Sequence, residues 1–251
     1  MITNSYSRQK GKISPEDFFP EREKVSDICL VIFSYKLVQK VFEEYHPEIV
    51  GTLNSSSAPI SIYLLEYQGK KICFYNSPMG SALAASFMLE ASYLTGAKKF
   101  IAFGTAGRLD KSIPPLAFIV PTSAYRDEGL SYHYAPPKDY IRIKNHATIE
   151  KFLKEEGLEF VKGKTWTTDA FYKETEKEIA ARKKEGCISV DMECAGMQAL
   201  ADFYGFSFYE FFFGADLLDS QFWEHSVLGT SQDQERHQDI FLLALKLSLK
   251  I

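Results

Sequence analysis

Val190-Asp191-Met192-Glu193 puts two carboxylates at the end of an apolar run, just ahead of a helix-like segment beginning near Cys194. Ligand crevices in α/β sheets form beyond the carboxyl ends of strands, so acids there meet substrates. Carboxylates also favour helix N-termini through the dipole and the unpaired N–H groups. Pattern leaves both readings open, and the geometry too. A strand continuing through Met192 would keep Asp191 and Glu193 on one side, whereas a turn would part them. Gly214-Ala215-Asp216 follows the aromatic run Tyr209 to Phe213. An acid there, beside an apolar pocket, can have its pKa raised enough to donate a proton near neutrality, although a loop aspartate bonding its own backbone is the plainer account. Gly104-Thr105-Ala106-Gly107, after the run Phe100 to Phe103, reads as a small-residue turn. Its backbone N–H groups and the Thr105 hydroxyl could approach an anion or a sugar, with a simple tight turn as the alternative. Pro78-Met79-Gly80-Ser81 carries the same two readings, as a strand giving way to a helix whose N-terminus could receive a phosphate.

Other chemistries lack their residues. Gly163-Lys164-Thr165 resembles the tail of a phosphate-binding P-loop, but Leu158 stands where the motif needs its first glycine. The histidines, His46, His133, His146, His225 and His237, show no spacing that sets two on one helical face for zinc, so no metal is expected. Neither a G-x-S-x-G elbow nor a strand followed by G-x-G-x-x-G occurs. A formal charge of -4 without a long basic run argues against nucleic acid as a partner. No apolar run approaches the roughly 20 residues a bilayer span needs, and the polar start lacks a signal-peptide core, so a cytoplasmic protein is expected. Cys29, Cys73, Cys187 and Cys194 show no paired spacing and are expected to be reduced core thiols.

The elements that must position these segments follow from hydrophobic periodicity. Runs at Ile28 to Phe33, Ile72 to Tyr75, Phe100 to Phe103, Phe118 to Val120, Cys187 to Val190 and Phe206 to Phe213 read as strands. Several are too continuously apolar to have a solvated face, which suits a sheet covered on both sides. Ile60 to Gln68 alternates only briefly. Leu83, Phe87, Ala91 and Leu94 follow helical spacing, as do Met197, Leu200, Ala201 and Tyr204 ahead of a terminating Gly205. A final helix is predicted from a capping box at Ser231 to Gln234 and from Ile240, Leu243, Ala244 and Leu247. Ser14-Pro15-Glu16-Asp17 predicts a short helix start. Strand alternating with helix means α/β. Asn54 to Pro59 and Asp110 to Pro115 read as loops within one sheet, giving one domain over residues 1–251 with a polar lead-in over about 1–24.

Taken in order, Gly80, the Gly104 to Gly107 segment, Thr168-Asp169-Ala170-Phe171-Tyr172, Val190-Asp191-Met192-Glu193 and Ala215-Asp216 resemble the nucleoside phosphorylase and nucleosidase superfamily from about Ile28 to about Asp216. The resemblance implies a single-domain α/β/α sandwich with a central mixed sheet. It also implies an enzyme that breaks the N-glycosidic bond of a nucleoside, with a purine favoured by Asp216. Glu193 would accept hydrogen bonds from the ribose hydroxyls, Met192 would pack beneath the sugar beside Val190, and Phe171 would stack on the base. Asp216 would protonate or hydrogen-bond a ring nitrogen of the departing base while the ribose becomes oxocarbenium-like.

The nucleophile is less well marked. Family phosphorylases commonly hold phosphate with an arginine where this chain has Ala102, and with a glycine-rich, arginine-bearing loop where it has Ser34-Tyr35-Lys36. The water-activating acid of hydrolytic relatives has no clear counterpart either. Phosphorolysis leads, because Trp166 to Tyr172 and Arg126 to Tyr134 look more like phosphorylase segments. Inorganic phosphate would be co-substrate, no cofactor would be needed, and Gly80, Gly104, Thr105 and Arg126 are the candidate phosphate contacts. A hydrolytic nucleosidase and a catalytically inactive nucleoside-binding protein are the alternatives. A homo-oligomer, dimer or hexamer, is implied by the resemblance.

Overall fold

A computed structural model describes residues 2–20, 23–53, 55 and 58–251 of the chain. Five buried residues in a row make β1 (Ile28–Ile32), which has no face left for water. Ile28, Leu30 and Ile32 pack to one side and Cys29 and Val31 to the other. The remaining strands are β2 (Glu48–Leu53), β3 (Ile60–Tyr67), β4 (Lys70–Asn76), β5 (Lys99–Arg108), β6 (Phe118–Asp127), β7 (Tyr140–Arg142), β8 (Phe160–Thr168), β9 (Cys187–Asp191) and β10 (Ser207–Leu217). The helices are α1 (Tyr35–Tyr45), α2 (Ser81–Thr95), α3 (Ser131–Tyr134), α4 (His146–Glu155), α5 (Glu176–Lys184), α6 (Cys194–Tyr204) and α7 (Ser231–Ser248). Helices α1, α4 and α7 bury their apolar stripes on one face of the sheet, and α2 and α6 cover the other. The result is the expected α/β/α sandwich around a mixed sheet.

The strands run in the order β10-β6-β8-β9-β5-β1-β4-β3-β2, with β7 attached to β6. One further pairing changes its shape. The first half of β5, Lys99 to Phe103, lies between β1 and β10, parallel to both. Past the end of β1, Gly107 and Arg108 pair instead with Val190 and Ser189 of β9, antiparallel. Because β10 also pairs with β6, the strands β5, β10, β6, β8 and β9 close into a ring, while β1, β4, β3 and β2 extend from it as an open sheet. The apolar runs predicted as strands are all strands, and Ile60 to Tyr67 joins them as β3.

Several expectations change. Gly104 to Gly107 is no turn: all four residues lie inside β5. Gly214 to Asp216 likewise lies within β10 rather than beyond it. Helix α7 is capped by Thr230, whose hydroxyl accepts from the Asp233 N–H, so Ser231 is already helical and the cap sits one residue before the predicted box. Pro15–Asp17 forms only a short 3-10 turn, in which the Ser14 N–H donates to the Asp17 carboxylate at 2.8 Å. The lead-in is not wholly polar in its packing, since Phe19 is buried beneath α2. Of the loop expected over Asn54 to Pro59, residues 54, 56 and 57 lie outside the described residues. All four cysteines are free and buried.

Candidate active site

Because β5 lies between β9 and β10, three predicted segments meet on one surface. Gly107 is registered against Val190 of β9, while Gly104, Thr105 and Ala106 face Phe212, Phe213 and Gly214 of β10. Above this floor opens a cavity of about 760 Å³. Gly104, Thr105, Phe171, Val190, Met192, Glu193 and Asp216 all line it. Gly80 and Arg126 do not, although Met79, beside Gly80, does.

The bend at Met192 settles what the sequence left open. Asp191 ends β9 and turns inward, where its carboxylate accepts from the hydroxyls of Thr165 (2.7 Å) and Thr167 (3.1 Å) and from the N–H groups of Glu193 (2.9 Å) and Cys194 (2.8 Å). It is the strut that fixes the start of α6 to β8. Glu193 turns the other way, and its Oε1 accepts from the Gly80 N–H at the head of α2, at 2.6 Å. The helix terminus read as a phosphate receptor therefore already holds a carboxylate. Such an approach needs α6 and α2 close together, and Gly196 permits it: a Cβ there would lie 2.6 Å from the Ser81 Cβ. Ser81 completes the junction by donating its hydroxyl to the Met192 carbonyl at 2.9 Å. Burial pushes Glu193 up to about 8, against the lowering effect of the Gly80 N–H, and pushes Asp191 up to about 6 despite its donors.

At the opposite wall, the Asp216 carboxylate accepts from the indole N–H of Trp223 at 2.7 Å. Its backbone is held by Arg108, which is buried and reaches across Gly214. The guanidinium donates to the carbonyls of Asp216 (3.2 Å) and Ile113 (2.7 Å) and to the Ser226 hydroxyl (3.0 Å). Gly214 is required for this path, since a Cβ there would sit 2.7 Å from the Arg108 stem. The rim is aromatic and open: Phe171 is 43%, Trp223 57% and Tyr172 90% exposed. Glu174, just past the 3-10 turn Phe171–Lys173, also faces the cavity, and burial together with the Asp216 charge pushes it up to about 7.

Arg126 is elsewhere. Its guanidinium donates to Ser131 Oγ (2.7 Å) and to the carbonyls of Pro136 (2.7 Å), Lys138 (3.2 Å) and Ala135 (3.4 Å), and it stacks on Tyr132. It ties α3 and the following loop to β6. Among the described residues no lysine or arginine lines the cavity, while Glu174, Glu176, Asp191, Glu193 and Asp216 do. The one lining ring able to carry positive charge, His237, packs edge-on to Phe213, with its Nδ1 2.8 Å from the Asp233 carbonyl. Sequence reasoning missed Glu174, Arg108, Trp223 and His237. Only Trp223, a large aromatic in a polar stretch, left a trace in the pattern.

A floor of closely spaced backbone between acids on two walls suits a polar ligand with a planar, apolar end, and the chain belongs to the nucleoside phosphorylase and nucleosidase superfamily. It matches the phosphorylase superfamily over residues 15–244. Among similar proteins, a purine nucleoside phosphorylase of DeoD type from Caldanaerobacter subterraneus is 27% identical over 191 residues, 74% of this chain and 78% of that protein. Another of the same type, from Exiguobacterium sibiricum, is 28% identical over 138 residues, 54% of this chain and 59% of that protein. Similar solved structures include an AMP nucleosidase from Bacteroides thetaiotaomicron (TM-score 0.64, 20% identity, 86% of this chain and 89% of that one). A futalosine hydrolase mutant from Helicobacter pylori shares the fold more closely (TM-score 0.71, 13% identity, 90% and 100%). At these identities the structures attest the fold.

Proposed function

We propose that this protein cleaves the N-glycosidic bond of a purine nucleoside by hydrolysis. The observation that carries the choice of nucleophile is the cavity lining, which offers five carboxyl groups and, among the described residues, no lysine or arginine. A phosphate dianion brought there would trade its hydration for a lining with no fixed cation to balance its charge, whereas water needs no cationic cradle. This reading reverses the order expected from the sequence, in which Arg126 was a phosphate contact. That side chain is spent on the α3 loop.

In this reading the sugar lies over Met192 and Thr105 with its hydroxyls toward Glu193, and the base lies between Phe171 and the Asp216 wall. As the bond from C1′ to the base nitrogen stretches, positive charge grows on the sugar and negative charge on the base. Acids on separate walls can then act on each separately, the carboxyl oxygens of Glu193 beside the cation and a proton donor beside the anion. Water adds to C1′, and the products are free base and free pentose. The purine preference is supported by the purine phosphorylases among the similar sequences.

Those same relatives favour a second reading, phosphorolysis, with the Thr105 hydroxyl and the β5 backbone as anion contacts. Release of free base from a panel of nucleosides, with and without inorganic phosphate, separates the two. Phosphate-independent release with free pentose is expected. Release that requires phosphate and yields a sugar 1-phosphate would replace hydrolysis by phosphorolysis.

A further inference from the structure

Glu174 has no role in the reading above, yet it faces the same cavity as Asp216 and stands close enough to feel its charge. It follows Phe171 by one 3-10 turn, so the element that would carry the stacking ring also sets this carboxyl at the base end of the cavity. The other charged or titratable groups lining the cavity are Tyr172 from the same turn, Asp216 from β10, Glu176 from α5 and His237 from α7, with Asp191 and Glu193 on the far wall. Arg108, which holds the backbone at Asp216, donates its hydrogen bonds to carbonyls and to a serine hydroxyl. Asp216 has one oxygen engaged by the Trp223 indole. Two carboxyl groups facing one partly dry space cannot both ionise cheaply, so one of them keeps a proton.

We infer that Glu174 is the acid that hands its proton to the departing base, with the Asp216 carboxylate beside it retaining that proton until the bond breaks. The inference rests on the glycosidic-cleavage reading. In the step, the electron pair of the C1′–N bond passes to the base and the Glu174 proton moves to a ring nitrogen. Water oxygen bonds to C1′, and the proton that water sheds restores Glu174, so the sum is nucleoside plus water giving base plus pentose. Burial and the Asp216 charge, which together bring Glu174 to about 7, leave it substantially protonated in neutral solution. The ligand this selects is a base with an unprotonated ring nitrogen on the edge facing Glu174.

Two measurements on the whole chain, wild type and Glu174→Gln, test this. In protein carrying carbon-13 at the glutamate carboxyls, the resonance lost in the variant should titrate near neutrality and move when free adenine is added. A resonance that titrates in the ordinary glutamate range, or ignores the base, overturns the inference whether or not any nucleoside is cleaved. In turnover, wild-type kcat should fall as pH rises through about 7. The variant should lose that limb and about 100-fold or more in kcat at neutral pH, with KM within about threefold. An unchanged kcat and pH profile in the variant would also overturn it. A wild type that cleaves no nucleoside would instead defeat the glycosidic reading, and the resonance would still report whether Glu174 holds a proton toward a bound base.

Discussion

Asp191 and Glu193 stand two residues apart, and the bend between them sends one carboxylate into a cage of hydroxyl and N–H donors and the other toward the cavity. Of the two readings of the sequence, the capping one falls to Asp191, and Glu193 is the residue left facing the cavity. The segment was legible as important. Its division of labour was not, because it depends on Thr165 and Thr167 of a strand that lies far away in sequence. Asp216 is the residue on which the proposed chemistry is easiest to break. Asp216→Asn keeps the acceptor oxygen for Trp223 but removes the charge, so kcat should drop by about 100-fold with KM changed by less than about threefold. Steady-state kinetics on the best nucleoside from the base-release panel decide it, and equal losses in binding and turnover would mean that Asp216 merely holds the ground state. The same variant should move the alkaline limb to lower pH, since the Asp216 charge helps to hold Glu174 up.

Elements were legible where hydrophobicity was continuous and illegible where it was not. β1, β4, β9 and β10 announce themselves through buried apolar runs. β8 reads Phe-Val-Lys-Gly-Lys-Thr-Trp-Thr-Thr, with little apolar alternation, yet it is central to the ring because its threonines serve Asp191 rather than a greasy core. The small residues of β5 and β10 misled for a related reason. They read as turns, but they keep strands narrow enough for Arg108 to cross Gly214. That crossing makes Arg108 a positioning residue for the stretch from Asp216 to Ser226. Arg108→Met fills similar space without donors and leaves the Ile113 and Asp216 carbonyls unpaired. It should destabilise the fold by roughly 2 kcal/mol in urea denaturation and shift Trp223 emission toward that of a solvated indole. Unchanged stability and emission would show that the loop is held by its other contacts.

At the level of the whole molecule, the acids share one electrostatic bias. Glu174, Asp191 and Glu193 are pushed up to about 7, 6 and 8, and burial pushes Glu210, inside β10, well above the carboxylate range. Each retains a proton in the folded state at a pH where the unfolded chain has released it. Their contribution to stability is therefore complete below the ordinary carboxylate pKa and is lost as pH rises through the folded values. Thermal melts from about pH 5 to pH 8.5 should show Tm falling by a few degrees, most steeply at the acid end of that range, where all these acids still hold protons that the unfolded chain has released, and Glu193→Gln should flatten the slope. A Tm that rises across this range would mean that the acids ionise freely in the folded protein. The α/β class was readable from alternation alone, but the closure of five strands was not, since it rests on β5 changing neighbours midway along its length.

That closure has a mechanical meaning. A hoop of five strands has a fixed girth, and β5, shared by both cavity walls, cannot shift toward one without pulling away from the other. The distance between the Glu193 wall and the Asp216 wall is thereby set by backbone. On the proposed reading, room for a larger or smaller base comes from the rim, residues 171–174 and 218–228. A change of preferred substrate is therefore within reach of rewriting those two segments, whereas substitutions on the hoop would trade away the spacing of the acids themselves.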